Sequence, residues 1–365
     1  MVTRPLERSS TLTQDPMDAT SFPPQLRAFV EISRAVKERG LLDRTRWFYA
    51  LVGAVLLIIL AALAVAFVLL GQSWLQLLVA AALGIVFTQI AFIAHEAGHR
   101  QVLSGGPANT RLARVLAGVV GLSYSWWDSK HSRHHGNPNQ ISKDPDLAVD
   151  TISFLTSDAA EARGVRRWIT RRQGWLFFPL LTLEGLNLHV HSFRHLLSSR
   201  ATARRPLEIA LVLGHFATLV VPVFWLLPVG MGFAFMGVQV AVFGVCMGGS
   251  FAPNHKGMPV IAPGARLDFF SKQVRTSRNI RGGWWATMIY GGLNYQIEHH
   301  LFPSMPRPRL AKAREIVREK CAQLNVPYTE VPAYRSYLIV VRHLNAVGLA
   351  ARDPFECPLL AQRRA

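Results

Sequence analysis

Histidines spaced three and four residues apart are the first sign of chemistry in this chain. His95 and His99 flank Glu96–Ala97–Gly98, and on a helix that spacing sets both imidazoles on one face. His131, His134 and His135 repeat the pattern with spacings of three and four. A third copy, Gln296–Ile297–Glu298–His299–His300, keeps the template but opens on Gln. These clusters hold seven of the chain's 13 His. They are spread over roughly 200 residues, so they are not an exposed polyhistidine tract. Imidazole suits zinc, iron, copper and nickel. One zinc site takes three or four protein ligands, so seven clustered His imply two metal ions.

Read alone, the first cluster is also H-E-x-x-H, the zinc metalloprotease pattern with Glu96 as general base. That reading leaves the other two clusters without a role. A redox enzyme that attacks an unactivated C–H bond has a use for all three. It must bind and reduce O2, and two irons in an all-nitrogen sphere share the electrons this needs.

The elements that must position these residues are apolar helices. Half of the residues are hydrophobic, and a net charge of +18 comes with only 17% charged residues, so charge is concentrated in polar segments. Basic loops of this kind face the cytoplasmic leaflet and its anionic headgroups. No zinc-finger, helix-turn-helix or aromatic RNA-binding pattern points to nucleic acid. Cys246, Cys321 and Cys357 show neither metal nor redox spacing. The polar, mixed-charge N-terminus is not a secretory signal peptide.

Four stretches, 48–70, 74–94, 206–227 and 228–250, are apolar and long enough to cross a bilayer. The expected fold is an all-α integral membrane protein, with two helical hairpins carrying a cytoplasmic helical cap. Residues 1–45 form a polar N-terminal segment with an interfacial helix over 25–46. Residues 46–345 form the membrane domain, and 346–365 a tail. Arg27, Arg34, Lys37, Arg39, Arg44 and Arg46 precede the first span and mark that side as cytoplasmic. All three His clusters must lie on one side to share metals. The apolar stretches 111–127 and 174–190 are therefore read as re-entrant or interfacial helices rather than crossings. The second of these carries Glu184, Asn187 and His189, with His191 just beyond. Ionisable groups at membrane depth are functional by default.

The clusters and their surroundings resemble the membrane-bound fatty acid desaturases, most closely the front-end, delta-6-like type and related sphingolipid desaturases. The resemblance rests on the first cluster, on Trp126–Trp127–Asp128–Ser129–Lys130–His131–Ser132–Arg133–His134–His135, and on Asn254–His255–Lys256–Gly257–Met258–Pro259. Its longest part is Gly291–Gly292–Leu293–Asn294–Tyr295–Gln296–Ile297–Glu298–His299–His300–Leu301–Phe302–Pro303, whose Gln296 marks the subgroup. It implies an O2-dependent oxidoreductase with a non-haem di-iron site, inserting a double bond into a long acyl chain carried as acyl-CoA or acyl lipid. By the family pattern His95, His99, His131, His134, His135, His299 and His300 are iron ligands. His255 is the additional ligand, four imidazoles per iron on average. Asn254, Gln296 and His191 are further or supporting candidates. Relatives that hydroxylate share the clusters. The sequence has no His-Pro-Gly-Gly haem motif, and residues 1–45 are too few for a fused cytochrome b5 domain. The expected electron source is thus a separate ferredoxin or flavoprotein reductase, and the expected location a bacterial plasma membrane, with active site and both termini cytoplasmic.

Overall fold

The computed structural model describes residues 24–198 and 204–351. Most of the expected N-terminal segment, most of the tail, and Cys357 lie outside the described residues. The chain runs α1 (Pro24–Glu38), α2 (Arg46–Leu70), α3 (Gln76–Gly98), α4 (Gly106–Val119), α5 (Tyr124–Gly136), α6 (Thr156–Ala160), α7 (Gly164–Thr170) and α8 (Gln173–Leu181). It continues through α9 (Glu184–Leu197), α10 (Arg205–Leu226), α11 (Val229–His255), α12 (Phe269–Thr276), β1 (Asn279–Arg281), α13 (Gly283–Ile289), α14 (Gln296–Leu301), α15 (Leu310–Gln323), β2 (Glu330–Pro332) and α16 (Ala333–Leu349).

Helices α2, α3, α10 and α11 are long and apolar enough to cross a membrane. They follow the expected spans, and α3 and α11 run on past the expected ends at residues 94 and 250. At 1.5 Å per residue, 23- and 27-residue helices are about 35 and 40 Å long, more than a ~30 Å hydrocarbon core. Helices α3 and α11 are thus longer than such a core, and their C-terminal turns carry His95 and His255. Trp47 and Trp74 sit exposed near helix ends, as interface aromatics do. The two pairs are not alike. α2 and α3 pack on each other, whereas α11 lies chiefly along α3 and α9, and α10 lies chiefly against α4.

Three expectations change in detail. The stretch 111–127 is not one helix: it breaks after Val119, and the chain turns at Gly121 with φ 75° before α5 begins. The stretch 174–190 also breaks, between α8 and α9, three residues after Pro179. Helix α1 ends at Glu38, short of the expected Arg46. Ile32 and Val36 sink into one apolar cluster with Phe270, Val274, Leu310 and Val317, so α1 is part of the cap. The fold is also not purely helical. β1 and β2 form a short parallel pair, Asn279↔Glu330 to Arg281↔Pro332, which satisfies backbone groups in the buried cap.

Candidate metal centre

The His-bearing elements meet at the C-terminal ends of α3 and α11. Their spacings decide which imidazoles meet, because successive residues of an α-helix are about 100° apart. His95 and His99 lie about 40° apart, as do His131 and His135, so each i,i+4 pair faces one way. His134 and His135 are adjacent, as are His299 and His300, so each of those pairs splits by about 100°. The structure forms two groups accordingly: His95, His99, His131, His135 and His299 in one, and His134, His255 and His300 in the other. The division of the eight candidate ligands is thus five and three. His135 and His300, one from each group, stack at 4.2 Å between centroids.

In the larger group three Nε2 atoms converge on His131 Nε2: His95 at 3.0 Å, His99 at 2.8 Å and His135 at 3.0 Å. Nitrogens bound to one first-row ion at about 2.1 Å stand roughly 3 Å apart at right-angled positions. Burial drives the pKa of His131, His135 and His299 well below the ordinary imidazole range, and that of His99 down to about 3. These rings are therefore neutral and offer lone pairs, the form a metal needs.

The smaller group is fully buried, and each ring is held from behind. His134 Nδ1 lies 3.0 and 3.1 Å from the two oxygens of Asp144. His255 Nδ1 donates to the Thr276 carbonyl at 3.0 Å. His300 Nδ1 lies 2.8 Å from Gln273 Oε1, and Gln273 Nε2 donates to the His135 carbonyl at 2.9 Å, which fixes the amide's orientation. Three acceptors behind three Nδ1 atoms leave three Nε2 lone pairs pointing inward. His134 and His255 Nε2 are 3.3 Å apart, and His300 Nε2 is buried without a partner, as is His299 Nε2 in the other group. Burial works against a charged His134, but Asp146 and the bond to Asp144 outweigh it and raise its pKa; burial also lowers that of His300. Both donor sets are nitrogen-only imidazole clusters that fit a first-row transition metal. Five in one group also exceed the four ligands of a tetrahedral zinc.

The supporting candidates fall differently. Gln296 Nε2 lies 2.9 Å from His255 Nε2, and Asn254 Nδ2 donates to Gln296 Oε1 at 3.1 Å, so both belong beside the smaller group. His191 belongs to neither group. The buried stripe of α9 is Gly185, His189, Ser192 and Leu196, and His191 lies about 200° round from His189. Its ring stacks on Trp126 at 5.9 Å and stands 3.9 Å from the Asp150 carboxylate.

Glu96 is committed elsewhere. Arg307 grips it with Nε at 2.8 Å and Nη2 at 2.6 Å, both side chains are buried, and Tyr49 Oη lies 3.4 Å away. A protease base must be free to take a proton from water, so the H-E-x-x-H reading loses its Glu. The pair instead ties α3 to the segment after α14.

Several supports were not read from the sequence. Glu208 of α10 accepts from Ser123 Oγ at 2.7 Å, Ser125 Oγ at 2.9 Å and Ser125 N at 3.2 Å, placing a carboxylate at the N-terminus of α5. Buried Arg278 donates to the Pro253 and Lys256 carbonyls, closing the end of α11 beside His255. Gly291, at φ 58°, turns the chain into the third cluster, and a Cβ there would stand 2.3 Å from Phe92.

The fatty acid desaturase family model matches residues 72–332. That stretch spans α3 to β2 and holds all eight imidazoles. The chain belongs to the fatty acid desaturase family. Members of this family are oxidoreductases that introduce double bonds into acyl chains. The chain is 30% identical to delta(8)-fatty-acid desaturase 2 of Arabidopsis thaliana over 90% of its own length and 76% of that desaturase. It is 31% identical to acyl-lipid (9-3)-desaturase of Borago officinalis over 74% of its length and 63% of that protein. Against delta 8-(E)-sphingolipid desaturase of Kluyveromyces lactis the identity is 25%, over 82% and 56%. The chain therefore spans less than two thirds of the latter two relatives.

Proposed function

We propose that this desaturase binds two irons, one in each imidazole group, and uses O2 to introduce a double bond into a long acyl chain carried as acyl-CoA or acyl lipid. The observation that carries this reading is the pair of adjoining imidazole groups at the C-terminal ends of two apolar helices. Overall, CH2–CH2 becomes CH=CH, and the two hydrogens the chain loses combine with O2, two electrons and two protons to give two waters. Bound there, the irons would supply the O2 chemistry and hydrogen abstraction.

The chain's own residues do the rest. In the larger group, neutral, buried imidazoles supply ligands without carrying protons into the site. Asp144, Gln273 and the Thr276 carbonyl hold the Nδ1 protons of His134, His300 and His255, so these rings present Nε2. The apolar helices admit a hydrocarbon substrate and exclude water. Electrons come from a separate ferredoxin or flavoprotein reductase, whose acidic face suits the basic polar segments. The His-bearing ends of α3 and α11 face the cytoplasm, on the positive flanks of the spans. The relatives named above are eukaryotic, which lends no support to a bacterial plasma membrane, so the proposal names no particular membrane.

The test is product analysis by mass spectrometry after expression in a host fed defined fatty acids. New monounsaturation in acyl lipids or acyl-CoA, dependent on iron and an added reductase system, is expected. Products confined to sphingoid bases would move the substrate to sphingolipids, and a hydroxylated product without a double bond would refute desaturation. For orientation, Cys introduced at Gly71 should label from outside, and Cys at Ser104 should not; the reverse would refute a cytoplasmic site.

A further inference from the structure

In the smaller imidazole group hydrogen bonds aim the rings. The larger group lacks that device at two rings: His95 Nδ1 and His135 Nδ1 are buried with no partner. One side chain touches three of its five imidazoles instead. The Trp127 indole stacks on His131 with centroids 4.6 Å apart and planes 24° apart. It meets His95 edge-on at 5.5 Å and His99 edge-on at 6.1 Å. Trp127 precedes His131 by one helical turn of α5, while His95 and His99 come from the end of α3, so the indole is the wedge between the two elements. Gly98 makes room for it. A Cβ at Gly98 would stand 2.6 Å from Trp127 Cζ3 and 2.9 Å from Cη2, closer than real Cβ contacts. The helix conformation of α3 does not require a glycine there; the indole does.

We propose that Trp127, seated against Gly98, is the positioning residue of the five-imidazole group: it sets the distance between α3 and α5 and the tilt of His131, and thereby whether that group can hold its ion. This rests on the two-iron reading above.

The test uses the full chain, loaded anaerobically with ferrous iron, with iron counted by elemental analysis and its environments separated by Mössbauer spectroscopy. Wild type should hold about two irons per chain in two environments; wild type without iron would defeat the two-iron reading itself and is thereby told apart from failure here. Trp127→Ala should lose about half of the iron, all from one environment. Gly98→Ala should do the same by pushing the indole out. Trp127→Phe keeps a ring on His131 and should keep both irons, with a changed signal from one. The Gly98→Ala/Trp127→Phe double variant should recover to the level of Trp127→Phe, because the smaller ring frees the space the new methyl needs. A purely structural role would lower thermal stability and leave the iron count and both signals unchanged. A Trp127→Ala protein with full iron and an unaltered spectrum, or a double variant no better than Gly98→Ala, would overturn the proposal. The rescue arm decides the question even where Trp127→Ala does not fold.

Discussion

Behind the rings of His134, His255 and His300 stand a carboxylate, a backbone carbonyl and an amide oxygen, each within 3.1 Å of an Nδ1. The Nδ1 atoms of His95 and His135 are buried without a hydrogen-bond partner. The smaller group is oriented by directional bonds, the larger by close packing of imidazoles on one another and on Trp127. A hydrogen bond fixes tautomer and raises basicity, so it is sensitive to a single-atom change that leaves shape intact. Packing is indifferent to such a change but sensitive to volume. Ligand number separates the groups as well: three donors leave no reserve, whereas five do.

That difference in reserve gives the largest expected effect. His255→Ala leaves two imidazoles where three were the minimum for a stable site. Turnover should vanish and iron should fall by about half. His99→Ala leaves four imidazoles in the other group and should keep both irons, with activity reduced. Elemental analysis beside product quantification checks both. Equal loss of iron in the two variants would erase the distinction between the groups.

Next in size is a variant that strikes the scaffold of the larger group. Glu96→Gln leaves Arg307 buried without its counter-charge, which costs about 3–5 kcal/mol where a buried pair is broken. A fall in the unfolding midpoint is expected, and Glu96→Gln/Arg307→Met should restore much of it. Stability of the single variant equal to wild type would mean that the ion pair does not hold α3 to the segment after α14.

The smaller group answers to isosteric changes. Asp144→Asn keeps the volume but removes the acceptor charge from His134, and should weaken one iron by about 10–100-fold in chelator competition. Gln273→Leu deprives His300 of its acceptor and should cost about tenfold, at the low end of that range. Asp144→Asn should not disturb the second iron. Loss of both ions together would mean that the groups behave as one site.

How much of this could be read from the chain follows from range. Four apolar helices, their order and the three clusters rest on local patterns, and those patterns determine which rings share a helix face. The i,i+4 pairs and the adjacent pairs even contain the five-to-three division, since about 100° per residue sends neighbours apart. What stayed hidden is contact across the fold. Asp144, Gln273, Glu208, Arg278 and Arg307 look like ordinary surface polar residues in a basic sequence, and only tertiary packing brings them to buried positions. His191 misled for the converse reason: its composition suited the site, but its place on α9 put it outside. Glu96 sits in a protease pattern, and its true partner lies 211 positions away.

The smallest effect expected is also the control for the comparison. Ser123 is the N-cap of α5, and its Oγ accepts from Trp126 N while donating to Glu208. Helix α5 supplies His131 and His135 to one group and His134 to the other, so its N-terminus favours neither. Ser123→Ala removes one cap and one of the hydrogen bonds to Glu208, but Ser125 still bonds that carboxylate through both its hydroxyl and its backbone N–H. The cost should be that of a lost N-cap, about 1 kcal/mol. Thermal or denaturant unfolding should show it, while the iron count and the balance between the two environments stay as in wild type. An Asp144 or Trp127 variant acts on one group and a Ser123 variant on both equally, so their iron spectra should differ even where their melting temperatures agree. If Ser123→Ala instead emptied one group selectively, α5 would be transmitting strain along its length, and the two groups could not be treated as separately oriented.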